Sequence, residues 1–403
     1  METTALYIAL PVLNESKNLD QFLNCLKKQN IQHFELVVCI NNDEAWWDNP
    51  AKRPLCEDNQ NSLRRLKQEN AFNIEIIDHS SPGKGWKPKK GGVGMARKAV
   101  LDGIAGKAPK QAIMVSMDAD TLYPHDYLLK IKRWFENHPD KMGLSLPYFH
   151  PLTGDEPIDR LILRYEMYMR YYALNMIRIR NPYRYTALGS AMAFPVWAYQ
   201  KVGGLTPVKS GEDFYFLQKL VKAGEIGYHA DTTAFPATRY SDRVQFGTGP
   251  ALIKGQQGDW RSYPFYPPEY FDAVEQTYAL FASLFKQEQI TPMDEFLKQQ
   301  FKQNELWQPL RKNYKDVNNF VKACSNKVDG LRILQYLKWR ADKDQFDNRQ
   351  VLLRFILIYA SGMKLPEALH TFDQLGFDDT PIDALNEIRQ FLFQWEAKWR
   401  NPF

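Results

Sequence analysis

Apolar positions in the first half of the chain follow two alternating periods. Residues 5–10 form a short apolar run that predicts a strand, and from Asn14 to about Asn30 Leu19, Phe22, Leu23 and Leu26 share one helical stripe. Residues 34–40 (FELVVCI) read as a second strand, apolar throughout, as a strand covered on both faces should be. A short third strand is expected at 73–77, a helix from Gly92 to about Ile104 and a fourth strand at 112–117. A helix over about 125–137 and a strand near 142–147 follow. This alternation predicts an α/β architecture with a mostly parallel, doubly wound sheet.

The pattern then changes. Residues 158–180 carry an Arg-, Tyr- and Met-rich helical pattern whose apolar positions predict a core-facing stripe, with its polar face a candidate lining for an acceptor. An extended stretch at 185–194 and helices at about 195–202 and 212–223 come next. The block SYPFYPPEYF reads as a connector, and beyond it the chain is nearly all helical in pattern. The expected organisation is a catalytic domain over 1–264 and a helical domain or extension over 265–403, amphipathic in stretches such as LRILQYLKW.

Composition adds bounds. At 403 residues, with 44% hydrophobic and 25% charged residues, the chain is ordinary globular material, large enough for more than one core. A net charge of +5 without long basic runs argues against nucleic-acid binding and suits anionic small molecules. The four cysteines lack CxxC spacing, so neither a zinc site nor a disulfide framework is indicated. The start, METTALYIALPVLNES, is not a signal-peptide pattern, and the run FILIYA is far too short to span a bilayer. A soluble, cytoplasmic chain is expected.

The chemistry concentrates where the fourth strand ends, in IMVSMDADTLYP. Two close carboxylates, Asp118 and Asp120, repel unless a cation or donors sit between them. A hard divalent ion, Mg²⁺ or Mn²⁺, takes such oxygens together with substrate phosphates, and the carboxyl ends of parallel strands are where ligands bind in open sheets. An Asp-Ala-Asp also occurs in solvated loops, so context matters. KGGVGMAR one helix earlier places glycines and the cations Lys90 and Arg97 at a helix start, where anions are favoured, though it matches neither a P-loop nor GxGxxG. GEDFYFLQKL puts Glu212 and Asp213 in a first helical turn, a routine complement to the helix dipole and also a rigid seat for a proton acceptor.

The order ALPVLNE, NND, GVGMAR, DAD, ALGS, VGG and GED resembles the family 2 glycosyltransferases of GT-A fold over roughly residues 4–262. The resemblance implies an inverting transfer of a sugar from a nucleotide diphospho-sugar (UDP-, GDP- or dTDP-linked) to a hydroxyl on a glycan, glycolipid or small molecule. It implies Asp120 as metal ligand with Asp118 near the metal or ribose, and Pro11 and Glu15 in the first nucleotide-binding loop. It puts Asn41 where the family usually has a base-contacting Asp, a departure that leaves the base open. It further implies Arg97 bracing the nucleotide site, Gly189 and Ser190 under the donor sugar, Asp213 as catalytic base and Glu212 beside it.

Arg239 and Arg243 depart from the QxxRW of processive members, yet both are expected to offer guanidinium groups to the diphosphate from a movable loop. His229 is a candidate further metal ligand, with a structural role the simpler reading. Trp260 is a candidate sugar-stacking residue, with core packing the simpler reading.

Two rivals stand beside this. A nucleotidyltransferase would carry a glycine- and arginine-rich loop after the first strand, where this chain has ALPVLNES. A non-catalytic sugar-nucleotide or partner-binding protein would be expected to lack Asp120 or Asp213. Attachment to a membrane surface through the C-terminal helices is a lesser option.

Overall fold

The computed structural model describes residues 4–87, 90–242 and 245–400. The chain divides into two compact units, one of residues 1–162 and 185–258, the other of residues 163–184 and 259–403.

The first unit is built on a six-stranded sheet in the order β3-β2-β1-β4-β6-β5. β1 (Leu6–Val12), β2 (Phe34–Asn41), β3 (Asn73–His79) and β4 (Ile113–Ser116) run parallel. β5 (Leu144–Ser145) and β6 (Met192–Pro195) complete it, with β6 antiparallel to both β4 and β5. The strands β1, β2 and β4 are buried almost throughout, which requires cover on both faces and explains their unbroken apolar runs.

Among the helices of this unit, α1 (Ser16–Lys27) buries Leu19, Phe22, Leu23 and Leu26, the stripe expected from the sequence. α2 (Arg53–Gln68) was not foreseen; its mean hydropathy is low and it buries the polar Asn59 and Ser62 beside Leu63 and Leu66. α3 (Val93–Lys107) packs on β1 and β2. α4 (Tyr127–Asn137), α6 (Val196–Lys201), α7 (Glu212–Ala223) and α8 (Thr248–Gln256) follow, while α5 (Glu156–Arg178) belongs to this unit only up to residue 162. Within the 185–194 stretch, residues 185–189 run in irregular backbone that closes over the carboxyl edge of β4, and β6 forms at its end.

The second unit is helical from Pro268–Leu284 to Ile382–Arg400, around Trp307, Tyr336, Phe355, Phe372 and Trp395. The Arg and Tyr residues of α5 beyond residue 162 pack here. Arg170 is fully buried and pairs with Glu166 and Glu396, and Tyr171 donates to the Tyr266 carbonyl at 2.5 Å. Trp260 stacks on the Arg164 guanidinium, 4.5 Å from ring centroid to Cζ. Among the described residues no helix is long and apolar enough to cross a membrane.

Candidate active site

The parallel strands end on one edge, and Glu15, Asp118, Asp120, Gly189, Glu212 and Asp213 gather there around Arg97 and Arg239. Arg97 lies on the first turns of α3 and is buried. Its guanidinium donates through Nε to Glu212 at 3.1 Å and through one terminal nitrogen to Ser116 Oγ at 2.5 Å and the Gly189 carbonyl at 3.1 Å. The other terminal nitrogen donates to Asp118 at 3.0 Å. One side chain therefore ties β4, the loop before β6 and the start of α7 together.

Two further bonds fix the Gly189–Ser190 loop. Ser116 donates to the Gly189 carbonyl at 2.6 Å, and the Tyr123 hydroxyl donates to the Ser190 carbonyl at 3.1 Å while accepting from the Asp118 N–H. A Cβ on Gly189 would stand 2.4 Å from the Arg97 terminal nitrogen, so any larger residue there has to push the guanidinium aside. Ser116 and Tyr123 went unremarked in the sequence. The only signal was a hydroxyl closing an otherwise apolar strand.

Asp213 follows Gly211, whose φ of +78° turns the chain into α7. Its carboxylate accepts from the backbone N–H of Phe214 at 2.7 Å. Burial pushes its pKa up, Asp118 adds to that, and Arg97 with the Phe214 N–H only partly offsets it. Glu212 is raised too, first by burial and then by the neighbouring Asp213, against the pull of Arg97. Arg97 itself loses by burial, yet the three carboxylates outweigh that and hold it charged. One buried cation thus faces more negative charge than it neutralises.

The two aspartates of the DAD sequence diverge. β4 stops at Ser116 and the chain turns, with the Thr121 N–H donating to the Asp118 carbonyl, so the period-two rule of a strand no longer applies. Asp118 goes to Arg97, whereas Asp120 goes to Arg239. The Arg239 guanidinium reaches Asp120 and Glu15 with the same nitrogen, at 2.5 Å each. Glu15 is buried at the end of the β1 turn and accepts on its other oxygen from Asn18.

Asn41 and Pro11 occupy adjacent strand ends. Pro11 is buried inside β1. The Asn41 amide nitrogen donates to the Val12 carbonyl at 2.9 Å, which orients its amide oxygen as the group left for a ligand. Asn59 of the unforeseen α2 bonds the Asn41 carbonyl, Asn42 and the Asn14 N–H, fixing this corner. His229 lies by Asp231 at 3.5 Å. Arg243 lies outside the described residues.

Asp120 and Glu15 bring carboxylate oxygens, the kind a hard divalent cation takes, to either side of the Arg239 guanidinium, while Asp118 is turned to Arg97. Among the described residues no three acidic, His or Cys side chains converge as a self-sufficient metal cage. A cation there would draw further oxygens from a bound phosphate group.

Residues 113–300 match the family described as "Glycosyl transferase family group 2". Over those residues the chain is similar to the group 2 glycosyl transferases. The match begins at β4 and takes in Asp118, Asp120, the Gly189–Ser190 loop, Glu212, Asp213 and Arg239. The six-stranded mixed sheet flanked by helices, with a helical C-terminal region, is the α/β architecture expected from the sequence. No curated protein sequence matches the chain significantly.

Among solved structures, S. aureus TarS 1–349 in complex with UDP-GlcNAc is similar at 13% identity and a TM-score of 0.41, over 97% of this chain and 91% of that one. The mannosyltransferase PcManGT from Pyrobaculum calidifontis, in complex with GDP-Man and Mn²⁺, is similar at 15% identity and a TM-score of 0.39, over 98% and 87%. Likenesses this distant decide neither ligand nor reaction.

Proposed function

We propose that the glycosyltransferase transfers a sugar, with inversion, from a nucleotide diphospho-sugar to an acceptor hydroxyl. The observation that carries the reading is the Arg97 cluster, which puts Asp118, the Gly189 loop and the Glu212–Asp213 pair around one edge of the sheet. Such an edge, beyond the carboxyl ends of parallel strands, is where an open sheet receives its ligand.

In this reading Asp213 takes the proton of the acceptor hydroxyl as that oxygen forms its bond to the anomeric carbon and the bond to the diphosphate breaks. The Phe214 N–H holds the Asp213 carboxylate at the start of α7. Glu212 is taken up by Arg97 and keeps Asp213 in its electrostatic setting. Ser190, beside Gly189, lies under the sugar. Asn41 offers an acceptor oxygen to the base, and Pro11 and Glu15 shape the turn that receives the nucleotide. Arg239, with Arg243, supplies positive charge to the diphosphate. A Mg²⁺ or Mn²⁺ ion held by Asp120, with Asp118 near it, would add charge stabilisation to the departing diphosphate.

The test is a transfer assay of the full chain against UDP-, GDP- and dTDP-sugars with Mn²⁺ or Mg²⁺ and a panel of hydroxyl acceptors, with the anomeric configuration of the product read by NMR. Release of nucleoside diphosphate with an inverted glycoside supports the reading. Formation of a nucleotide sugar from sugar 1-phosphate and nucleoside triphosphate would replace it with the nucleotidyltransferase alternative.

A further inference from the structure

Arg164, in the part of α5 that belongs to the helical unit, lies against two aromatic rings. Its Cζ stands 4.5 Å from the Trp260 centroid and 4.5 Å from that of Phe377. Phe377 follows Gly376, whose φ of +73° breaks the helix Ala368–Asp379, and its ring stacks on Phe265. Ring faces attract a guanidinium, but they offer no oxygen to its five N–H groups.

Those N–H groups are poorly served. Nε is buried with no hydrogen-bond partner among the described residues. A terminal nitrogen pairs with Asp378 at 3.8 Å, beyond hydrogen-bonding reach, and that carboxylate is 86% exposed where Arg164 is 14% exposed. Burial pulls the Arg164 pKa down to about 10, and Asp378 offsets this only in part. Arg178 on the same helix is just as exposed, yet it donates to Asn175 at 3.3 Å and to the Pro268 carbonyl at 3.2 Å. Arg164 has given up water without gaining the acceptors that ordinarily replace it.

We propose that Arg164, set against Trp260 and Phe377, forms an oxyanion site in the helical unit that takes the phosphate or carboxylate group of a small molecule in place of Asp378. The rings hold the guanidinium and keep it thinly hydrated. Its terminal nitrogens, with no short partner from Asp378, can meet two oxygens of one oxyanion, the forked pairing that suits either group. Asp378 has the same chemistry, but an exposed and long ion pair is worth little, so it yields readily to a better placed anion.

NMR of the full chain with isotope-labelled arginine tests this at the Arg164 Nε–H signal, identified by its loss in Arg164→Lys and its shift in Asp378→Asn. Inorganic phosphate, glycerol 3-phosphate and glucuronate are titrated, with sodium chloride at matched ionic strength as the control. A saturable shift in the millimolar range is expected with at least one oxyanion and not with chloride, and the comparison of the phosphates with glucuronate tells which group is preferred. Asp378→Asn should tighten that binding about two- to fivefold, the worth of an exposed ion pair removed from competition.

A guanidinium that serves packing alone would give no saturable shift, or the same shift with chloride, and either result overturns the proposal. So does an affinity that Asp378→Asn leaves unmoved. Asp378 is an exposed side chain, so this arm stands even where Arg164→Lys fails to fold. The signal reports on the helical unit alone, and its behaviour neither needs nor tests sugar transfer.

Discussion

Gly189 packs so closely against Arg97 that a Cβ would come within 2.4 Å of the guanidinium, while its carbonyl accepts from that same guanidinium at 3.1 Å. The loop and the arginine are therefore fitted to each other, and a methyl group cannot be added without moving the guanidinium off Asp118 or Glu212. Arg97 is fully buried, so it has no solvent to retreat into. Gly189→Ala is expected to lose nucleotide-dependent transfer and to lower the unfolding midpoint, both measurable on one preparation. Wild-type behaviour in both would mean that the loop gives way freely.

Arg97→Lys keeps a charge but loses the fork that serves Ser116, Gly189, Asp118 and Glu212 at once. Breaking a buried ion pair by removing one partner typically costs about 3–5 kcal/mol, and retention of a cation should hold the loss toward the lower end. Urea unfolding of the variant gives the number. A loss within about 0.5 kcal/mol, the usual range for surface changes, would show that the cluster does not depend on the guanidinium.

Asp213→Asn removes the proposed proton acceptor without changing size. Transfer should fall about 10²–10⁴-fold, the usual cost of losing a placed base, with nucleoside diphosphate affinity kept within a few-fold. Steady-state rates and calorimetry on the same variant separate the two. Near-normal turnover would remove Asp213 from the mechanism.

The pH dependence follows from the crowding of Glu212 and Asp213. Burial raises both carboxyls, so the folded protein favours their protonated forms more than a free side chain does. A base must be ionised to accept a proton, hence kcat/KM should fall as pH drops through the raised value, well above the roughly 3.9 of a free aspartate. The two groups titrate as a pair. Glu212→Gln removes a neighbouring negative charge, lowers the Asp213 pKa and should shift that acid limb to lower pH. A limb that stays put, or moves up, contradicts the coupling.

Much of the first unit could be read from apolar periodicity, because β1, β2 and β4 are covered on both faces and α1 shows a clean stripe of Leu19, Phe22, Leu23 and Leu26. α2 could not: it buries Asn59 and Ser62 for hydrogen bonding, and polar residues at core positions hide a helix from a hydrophobicity pattern. The packing of α5 was half legible. Its stripe was seen, but Arg170 reads as a surface residue until Glu166 and Glu396, the latter far away in sequence, are placed beside it.

The site divides the same way. Motif order named Arg97, Asp118, Asp120 and Asp213, since each has a local signature. The pairing of Arg239 with Glu15 and Asp120 joins residues 224 positions apart in the first case and has no local signature. Nor does the divergence of Asp118 from Asp120, which depends on the strand ending at Ser116.

The central claim is that the acidic edge after β4 receives a nucleoside diphosphate with a cation. Calorimetric titration of UDP, GDP and dTDP into the full chain, with and without Mn²⁺, for the wild type and Asp120→Asn, tests it most directly. The account predicts that at least one nucleotide binds the wild type in a Mn²⁺-dependent way, and that Asp120→Asn weakens this about tenfold or more while leaving the Mn²⁺-free affinity nearly unchanged. Binding that ignores both Mn²⁺ and Asp120, or no binding of any nucleotide, would contradict it.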